Sequence, residues 1–240
     1  MDYTYLDSFY QLISHPFLSS PQLLSELLSI LVLLFKNSHD KYSINFNGRP
    51  FYRFTFLLLN SIKNPIFPIN IDSLTQILTK NLFLIVSPVN YPGFSACWLE
   101  LMGQMLNLLL SIKGEKSLML ALLLEALKFL QFFDSNEDCW KLVDLQKFYK
   151  GVTKIFLILL HDFPEFLSFY FIPFCEKIPL KGIQLRNMIL SAFPKNLKLP
   201  DPFNLNFEDS SIREMFCCFP EIYAEGFEKL HAELNIQVWE

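Results

Sequence analysis

The feature that most constrains this 240-residue chain is an apolar periodicity of helical type running almost throughout, broken at short intervals by proline, asparagine and glycine. β-Branched alternation appears only in short patches such as Tyr42 to Phe46, so strand signals are poor. The pattern predicts helices near 3–14, 21–36, 49–62, 71–86, 94–112, 117–133, 142–160, 164–171 and 181–193, with two weaker ones near 210–218 and 220–234. Each break has a chemical cause. Ser20-Pro21 starts one helix, Asn47-Gly48 makes a turn ahead of Pro50, and Asn64-Pro65 with Asn70 to Asp72 separates the next two. Lys113-Gly114 joins two neighbours. Loops this short force antiparallel packing, and two helices with two loops take about 40 residues, the size of a HEAT-type unit. No self-similar repeat is visible in the letters. The fold expected is all-α: a right-handed, HEAT-like α-solenoid of about ten antiparallel helices.

Leu118 to Phe133 shows how such a stack would cohere. Its only charges, Glu125 and Lys128, lie one turn apart on a stripe that Gln131 extends, and its other sides are Leu, Ala, Met and Phe. A helix apolar on most of its circumference must be covered on both sides. Each fully buried Leu or Phe then contributes about 1.5–3 kcal/mol.

With 52% apolar residues and a mean hydropathy of +0.29, the chain raises the question of a membrane span. A span needs roughly 20 apolar residues with few breaks. Glu26 interrupts Leu23 to Phe35, Glu125 and Lys128 interrupt Leu118 to Phe133, and Pro88, Pro92 and Gly93 break the uncharged run Asn81 to Leu99. None spans comfortably. The opening residues MDYTYLDSFYQ are acidic and polar where a signal peptide is basic and then apolar, so none is expected. Cys97, Cys139, Cys175, Cys217 and Cys218 form no C-x-x-C pair, which fits buried free thiols in a reducing compartment and gives zinc no site. A net charge of −4 argues against a dedicated nucleic-acid binder.

His161 to Asn204 carries six of the fourteen prolines and a run of aromatics. Asp162, Phe163, Pro164 and Glu165 read as an N-cap followed by proline and an acid in the first turn of a helix through about Phe171. Pro173 and Pro179 each stop a turn. Gly182 to Phe193 forms the next helix, with Ile183, Ile189, Leu190 and Phe193 mostly buried. Leu199 to Phe203, LPDPF, leaves extended, because a residue before proline is pushed out of the α region.

This segment also carries a resemblance. HDFPEFL, then FC and IP, IQLRN, ILSAFP and LPDPF, in that order, resemble the C-terminal domain of Not-one, the scaffold subunit of the CCR–NOT mRNA deadenylase complex. PFYRFTFLLLNSI at Pro50 to Ile62, PGF with CWLEL at Pro92 to Leu101, and FYKGVTKIFLILLHDFPEFL from Phe148 support it. The match runs from about residue 3 to residue 204. The resemblance implies a non-catalytic HEAT-like scaffold without cofactor or small-molecule substrate. It would dock Not-two-like and Not-three/five-like subunits and touch mRNA only through them, supporting poly(A) shortening, mRNA decay and translational repression. The implied location is cytoplasmic, P-bodies included, with room for a nuclear pool, and no direct membrane contact. Family members continue past LPDPF with many more helices, whereas residues 205–240 match nothing recognisable, so a fragment and a reduced protein both stay open. Ser38 to Asn45 and Ser135 to Lys141 are too divergent to place. Two rival readings are a HEAT-like adaptor outside mRNA turnover and a membrane-associated helical protein.

Chemistry-bearing constellations are few. His161-Asp162 could be a base and its orienter, but adjacent helical residues point about 100° apart; a helix-end His followed by an N-cap Asp is the plainer reading. No G-x-S-x-G elbow, Walker A or G-x-G-x-x-G occurs. His15, His39 and His231 lie far apart, and Cys217-Cys218 reads as a buried pair beside Phe216 and Phe219. In Ile183 to Asn187, Gln184, Arg186 and Asn187 stand among apolar residues. Arg186 either pairs with Asp162 or Glu165 inside the fold or grips a partner's carboxylate or carbonyl. LPDPF is either an internal strap or part of a peptide-docking surface. The partner-binding candidates are Arg186, Asn187, Asp201 and Phe203.

The last stretch is charge-polarised. Glu176 to Lys198 holds Lys177, Lys181, Arg186, Lys195 and Lys198 against one acid, while Phe207 to Glu240 holds eight acids against Arg213 and Lys229. Tyr223, Phe227, Leu230 and Leu234 share one helical face. The organisation expected is a Not-one-like domain over 1–204 and an acidic amphipathic tail over 205–240, docked as a cap. The basic segment is a weak candidate for RNA phosphates, since it lacks interleaved exposed aromatics.

Overall fold

The computed structural model describes residues 20–63, 70–111, 116–134 and 138–193. The expected helices near 3–14, 210–218 and 220–234, the LPDPF strap, the Cys217-Cys218 pair and the tail lie outside the described residues. Among the described residues there are nine α-helices and no strand. In order these are α1 (Pro21–Tyr42), α2 (Arg49–Lys63), α3 (Ile71–Leu78), α4 (Ser95–Ser111), α5 (Lys116–Phe132), α6 (Val143–Asp162), α7 (Pro164–Phe169), α8 (Phe171–Lys177) and α9 (Ile183–Leu190). No helix among them is long and apolar enough to cross a membrane.

The helices pack in two layers. In one, α2 lies against α4, α4 against α6 and α6 against α9; in the other, α1 lies against α3, the turn after α3 against α5, and α5 against α8. Successive elements meet across the layers, as in α2 with α3, α4 with α5 and α8 with α9. This is the HEAT-like arrangement expected from the short loops. One buried cluster runs without interruption from Leu24 on α1 to Ile189 on α9. On α1 the buried positions Leu24, Leu28, Val32 and Phe35 repeat at helical spacing. Phe35 is the hub of the first unit: the rings of Phe46, Phe51, Tyr91 and Phe94 meet it edge-on at centroid distances of 5.0–5.1 Å. In α5 Leu118, Met119, Leu122, Leu123, Ala126, Leu127, Phe129 and Leu130 are buried, and Lys128 Nζ meets Glu125 Oε1 at 2.7 Å on its one charged stripe.

Several local expectations are overturned. The helix expected over 71–86 leaves α geometry after Leu78 and continues as a π-helical turn over Thr79–Phe83. Thr75 and Thr79 both turn their hydroxyls back onto the carbonyl four residues earlier, at 2.7 and 2.8 Å, competing with the regular ladder. The Leu84 amide then reaches back five residues to Thr79 O at 3.1 Å. The carbonyl of Phe83, in this turn, accepts the buried indole N–H of Trp98 at 3.0 Å, locking it to α4. Tyr42 to Phe46, the best strand patch, is the end of α1 followed by a 3-10 turn (Ser43–Asn45). Asp162 is the last residue of α6 and not an N-cap; Phe163 holds that position for α7. Pro173 does not stop a turn. It is the third residue of α8, within the first turn, where amides have no intrahelical acceptor and a missing N–H costs nothing. Ile183 and Leu190 are exposed rather than buried, because α9 faces α6 and α8 with Leu185 and Ile189. Asp134 at the end of α5 accepts the Leu180 amide at 2.8 Å, fixing the turn that leads into α9.

Candidate functional site

The layer α2–α4–α6–α9 carries a groove of about 610 Å³ between α4 and α6. Ala96, Leu99, Glu100, Gly103 and Gln104 form the α4 wall; Lys147, Gly151, Lys154, Ile155 and Ile158 form the α6 wall; Pro92 and Gly93 close one end. These positions recur every three or four residues on each helix, so each wall is one helical stripe. Two mid-helix glycines, Gly103 and Gly151, line the groove. A Cβ on Gly151 would stand 2.6 Å from Leu99 Cδ2, so the two helices approach here more closely than side chains allow. A Cβ on Gly103 would meet nothing within 4 Å and would point into the open space. A glycine inside a helix costs about 1 kcal/mol relative to alanine. At Gly103 no neighbour among the described residues requires that cost.

The α4 wall is braced from behind by α2. Lys63 Nζ donates to Gln104 Oε1 at 2.6 Å, and burial lowers the Lys63 pKa. The Tyr52 hydroxyl donates to the Glu100 carboxylate; burial first, then that hydrogen bond and charge, push its pKa up to about 12. The Cys97 thiol, one turn away, is pushed up by burial and by Glu100 against the lowering effect of Arg49. On the α6 wall Lys147 meets Asp144 at 3.5 Å, with both side chains well exposed. Lys154 stands exposed and Ile158 is 45% exposed. Past Pro92 a second hollow of about 250 Å³ continues toward Leu142, Val143 and Phe133. The result is a rigid-walled cleft with an apolar, glycine-lined floor and a lysine-bearing rim. It can grip a segment of another chain by side-chain burial and ion pairing.

The residues expected from the sequence to bind a partner lie elsewhere. Arg186 is half-buried on α9, close enough to Cys175 on α8 to pull its thiol down against burial, which raises it. Asn187 is exposed on the same helix. Neither lines the groove, and Asp201 and Phe203 lie outside the described residues. His161 and Asp162 do meet, contrary to the helical-angle argument: Nδ1 and Oδ1 are 2.7 Å apart at the exposed end of α6. The pair faces solvent there. Among the described residues no group of three or more His, Cys, Asp or Glu is placed to hold a metal ion. The groove is absent from the sequence-based expectations. Its one signal in the letters is Gly103 and Gly151, two mid-helix glycines in a chain with only seven.

Comparison with known proteins accounts for the architecture. The chain is 34% identical over 210 residues to the CCR4-NOT transcription complex subunit let-711 of Caenorhabditis elegans, covering 80% of this chain and 8% of that protein. It is 33% identical over 192 residues to the general negative regulator of transcription subunit 1 of Schizosaccharomyces pombe, covering 77% of this chain and 9% of that protein. The chain thus spans less than a tenth of the length of these two relatives. Its fold matches the NOT1 superfamily homology domain of Chaetomium thermophilum with a TM-score of 0.69 at 26% identity, over 78% of this chain and 38% of that one. It also matches a Not1 C-terminal domain solved in complex with Not4, with a TM-score of 0.62 at 24% identity, over 79% of this chain and 40% of that one. The family model described as "CCR4-Not complex component, Not1" matches residues 56–238. That range extends past LPDPF into residues 205–238. The α4 and α6 walls of the groove both fall inside the matched range, and this chain belongs to the Not1 family of CCR4-Not complex components.

Proposed function

We propose that this chain is a non-catalytic docking module of a CCR4-NOT scaffold subunit, and that the α4–α6 groove receives a segment of another subunit. The observation that carries the reading is the family match, which runs across both groove walls. A braced wall, a Gly103 position with open space before it and an exposed lysine rim support a binding role for that cleft. A Not1 C-terminal domain of the same fold has been solved with Not4, which supports subunit docking as the use of this architecture. The partners we assign are Not-two-like and Not-three/five-like subunits, with mRNA reached only through them. The role is in poly(A) shortening, mRNA decay and translational repression, in the cytoplasm and its P-bodies with a nuclear pool.

The test is affinity purification of the tagged chain from its own cells, followed by mass spectrometry. Not-two-like and Not-three/five-like subunits recovered together with deadenylases are the expected result. Recovery of other proteins without any deadenylase component would overturn the assignment and leave a HEAT-like adaptor outside mRNA turnover.

A further inference from the structure

The outer face of α9 is an apolar edge left open by the described residues. Ile183 and Leu190, seven residues apart on one side of the helix, are 63% and 59% exposed, and Leu180 just before it is 76% exposed. The opposite side, Leu185 and Ile189, is already committed to the core. Charge flanks the exposed edge: Lys177 ends α8, Lys181 lies in the turn before α9 and Arg186 within it, against Glu176 and against Asp134, whose carboxylate accepts the Leu180 amide. These three cations outnumber the two acids.

The C-terminal stretch of the chain is complementary to this edge. From Phe207 to Glu240 there are eight acids against Arg213 and Lys229, and Tyr223, Phe227, Leu230 and Leu234 repeat at i, i+4, i+7 and i+11. We propose that residues 220–234 of this same chain dock on the outer face of α9. The Tyr223–Leu234 edge would cover Leu180, Ile183 and Leu190, and the flanking acids would meet Lys177 and Lys181.

Three further observations favour this occupant. The chain leaves α9 at Leu190 and Pro220 opens the docking segment, so the connection is long enough to turn back at about 3.3 Å per extended residue. A tethered segment competes at an effective concentration in the mM range, which a second copy or a free partner does not reach. The family match continues through residue 238, which places the segment in the same family unit as α9. This face is distinct from the α4–α6 groove, so the tail and a partner subunit would occupy different surfaces.

The experiment places a photo-crosslinking amino acid at position 183 or 190 of the full chain, both being exposed enough to accept it, and maps the products by mass spectrometry. The expected result is an intramolecular crosslink into residues 220–234. Its yield should fall several-fold in the Lys177→Glu/Lys181→Glu variant, whose circular dichroism should match the parent. Crosslinks to another part of the chain, crosslinks between two copies, or no crosslink would each overturn the proposal. A yield unaffected by the charge reversal would overturn its electrostatic half. In parallel, deletion of 207–240 should speed amide exchange in α9 and leave α2 and α4 unchanged; unchanged exchange in α9 would overturn the docking. None of these readouts depends on subunit recovery, so failure here is separable from failure of the scaffold assignment.

Discussion

Replacing Trp98 by phenylalanine tests how the first units of the array are joined. Trp98 is 1% exposed, and its indole N–H donates to Phe83 O at 3.0 Å, across from α4 to the π-helical turn. Phenylalanine keeps a six-membered ring in the same site but removes the donor and the rest of the bicycle. Loss of one net hydrogen bond costs about 1 kcal/mol, and a buried carbonyl left without its partner raises this toward 2 kcal/mol. The lost packing adds about 1–2 kcal/mol, less than the 3–5 kcal/mol of a full aromatic-to-alanine truncation. Together these come to about 3 kcal/mol. For a chain of this size each kcal/mol moves Tm by about 2–4 °C, so Trp98→Phe should unfold about 6–12 °C below the parent. Far-ultraviolet circular dichroism is the assay, because it does not depend on the fluorophore being removed. Trp140→Phe is the internal comparison: its indole also donates to a carbonyl, Phe133 O at 3.0 Å, but the residue is only half-buried and the loss should be about 1 kcal/mol. If Trp98→Phe lies within about 0.5 kcal/mol of the parent, below the cost of any of these effects, the π turn is not tied through Trp98.

The braced wall and α9 each give a titration test. Tyr52 has a folded pKa of about 12 against about 10 in the unfolded chain, so its stabilising contribution is complete below pH 10 and is lost as pH rises toward 12. Urea midpoints measured between pH 9 and 11 should therefore fall less steeply in Tyr52→Phe than in the parent, and parallel curves would refute the assignment. Arg186 lowers the Cys175 thiol against its burial, so Arg186→Gln should slow alkylation of Cys175 at pH 8 while Arg186→Lys largely preserves it. Equal rates by mass spectrometry across the three proteins would contradict the pairing.

The long helices are legible in the letters because periodicity and breakers agree. Pro21 opens α1 at the residue expected, and the charged stripe of Glu125 and Lys128 on α5 stands where its spacing puts it. The failures share a cause: they turn on what packs against an element. The sequence of α9 has apolar residues on two sides, and only the positions of α6 and α8 decide that Leu185 and Ile189 are covered and Ile183 and Leu190 are not. The switch to π geometry at Thr79 depends on two threonine back-bonds and on an indole reaching in from α4, fifteen residues away in the chain. Pro173 looks like a breaker in the letters because composition does not fix its place relative to the next helix start.

The candidate groove is least legible, since it is defined by space and not by a motif. Gly103, Gly151 and the lysines of α6 lie in or beside the stretches that carry the family resemblance. Nothing in their spacing says that the two helices leave a cleft between them. Arg186 and Asn187 stand out in the sequence because polar groups amid apolar ones invite attention. Their place on α9 puts them on another face of the molecule.

Docking in the groove is the central claim, and the most direct measurement compares two substitutions at one position. Gly103→Ala adds a methyl into open space and removes a helix-interior glycine, so it should raise stability by about 1 kcal/mol. Gly103→Phe should fold equally well by circular dichroism and fill the cleft between α4 and α6. Affinity purification of both variants beside the parent then decides. Recovery of the Not subunits with the parent and Gly103→Ala, and their loss with a folded Gly103→Phe, is the result predicted; undiminished recovery with Gly103→Phe would contradict the groove as the docking site.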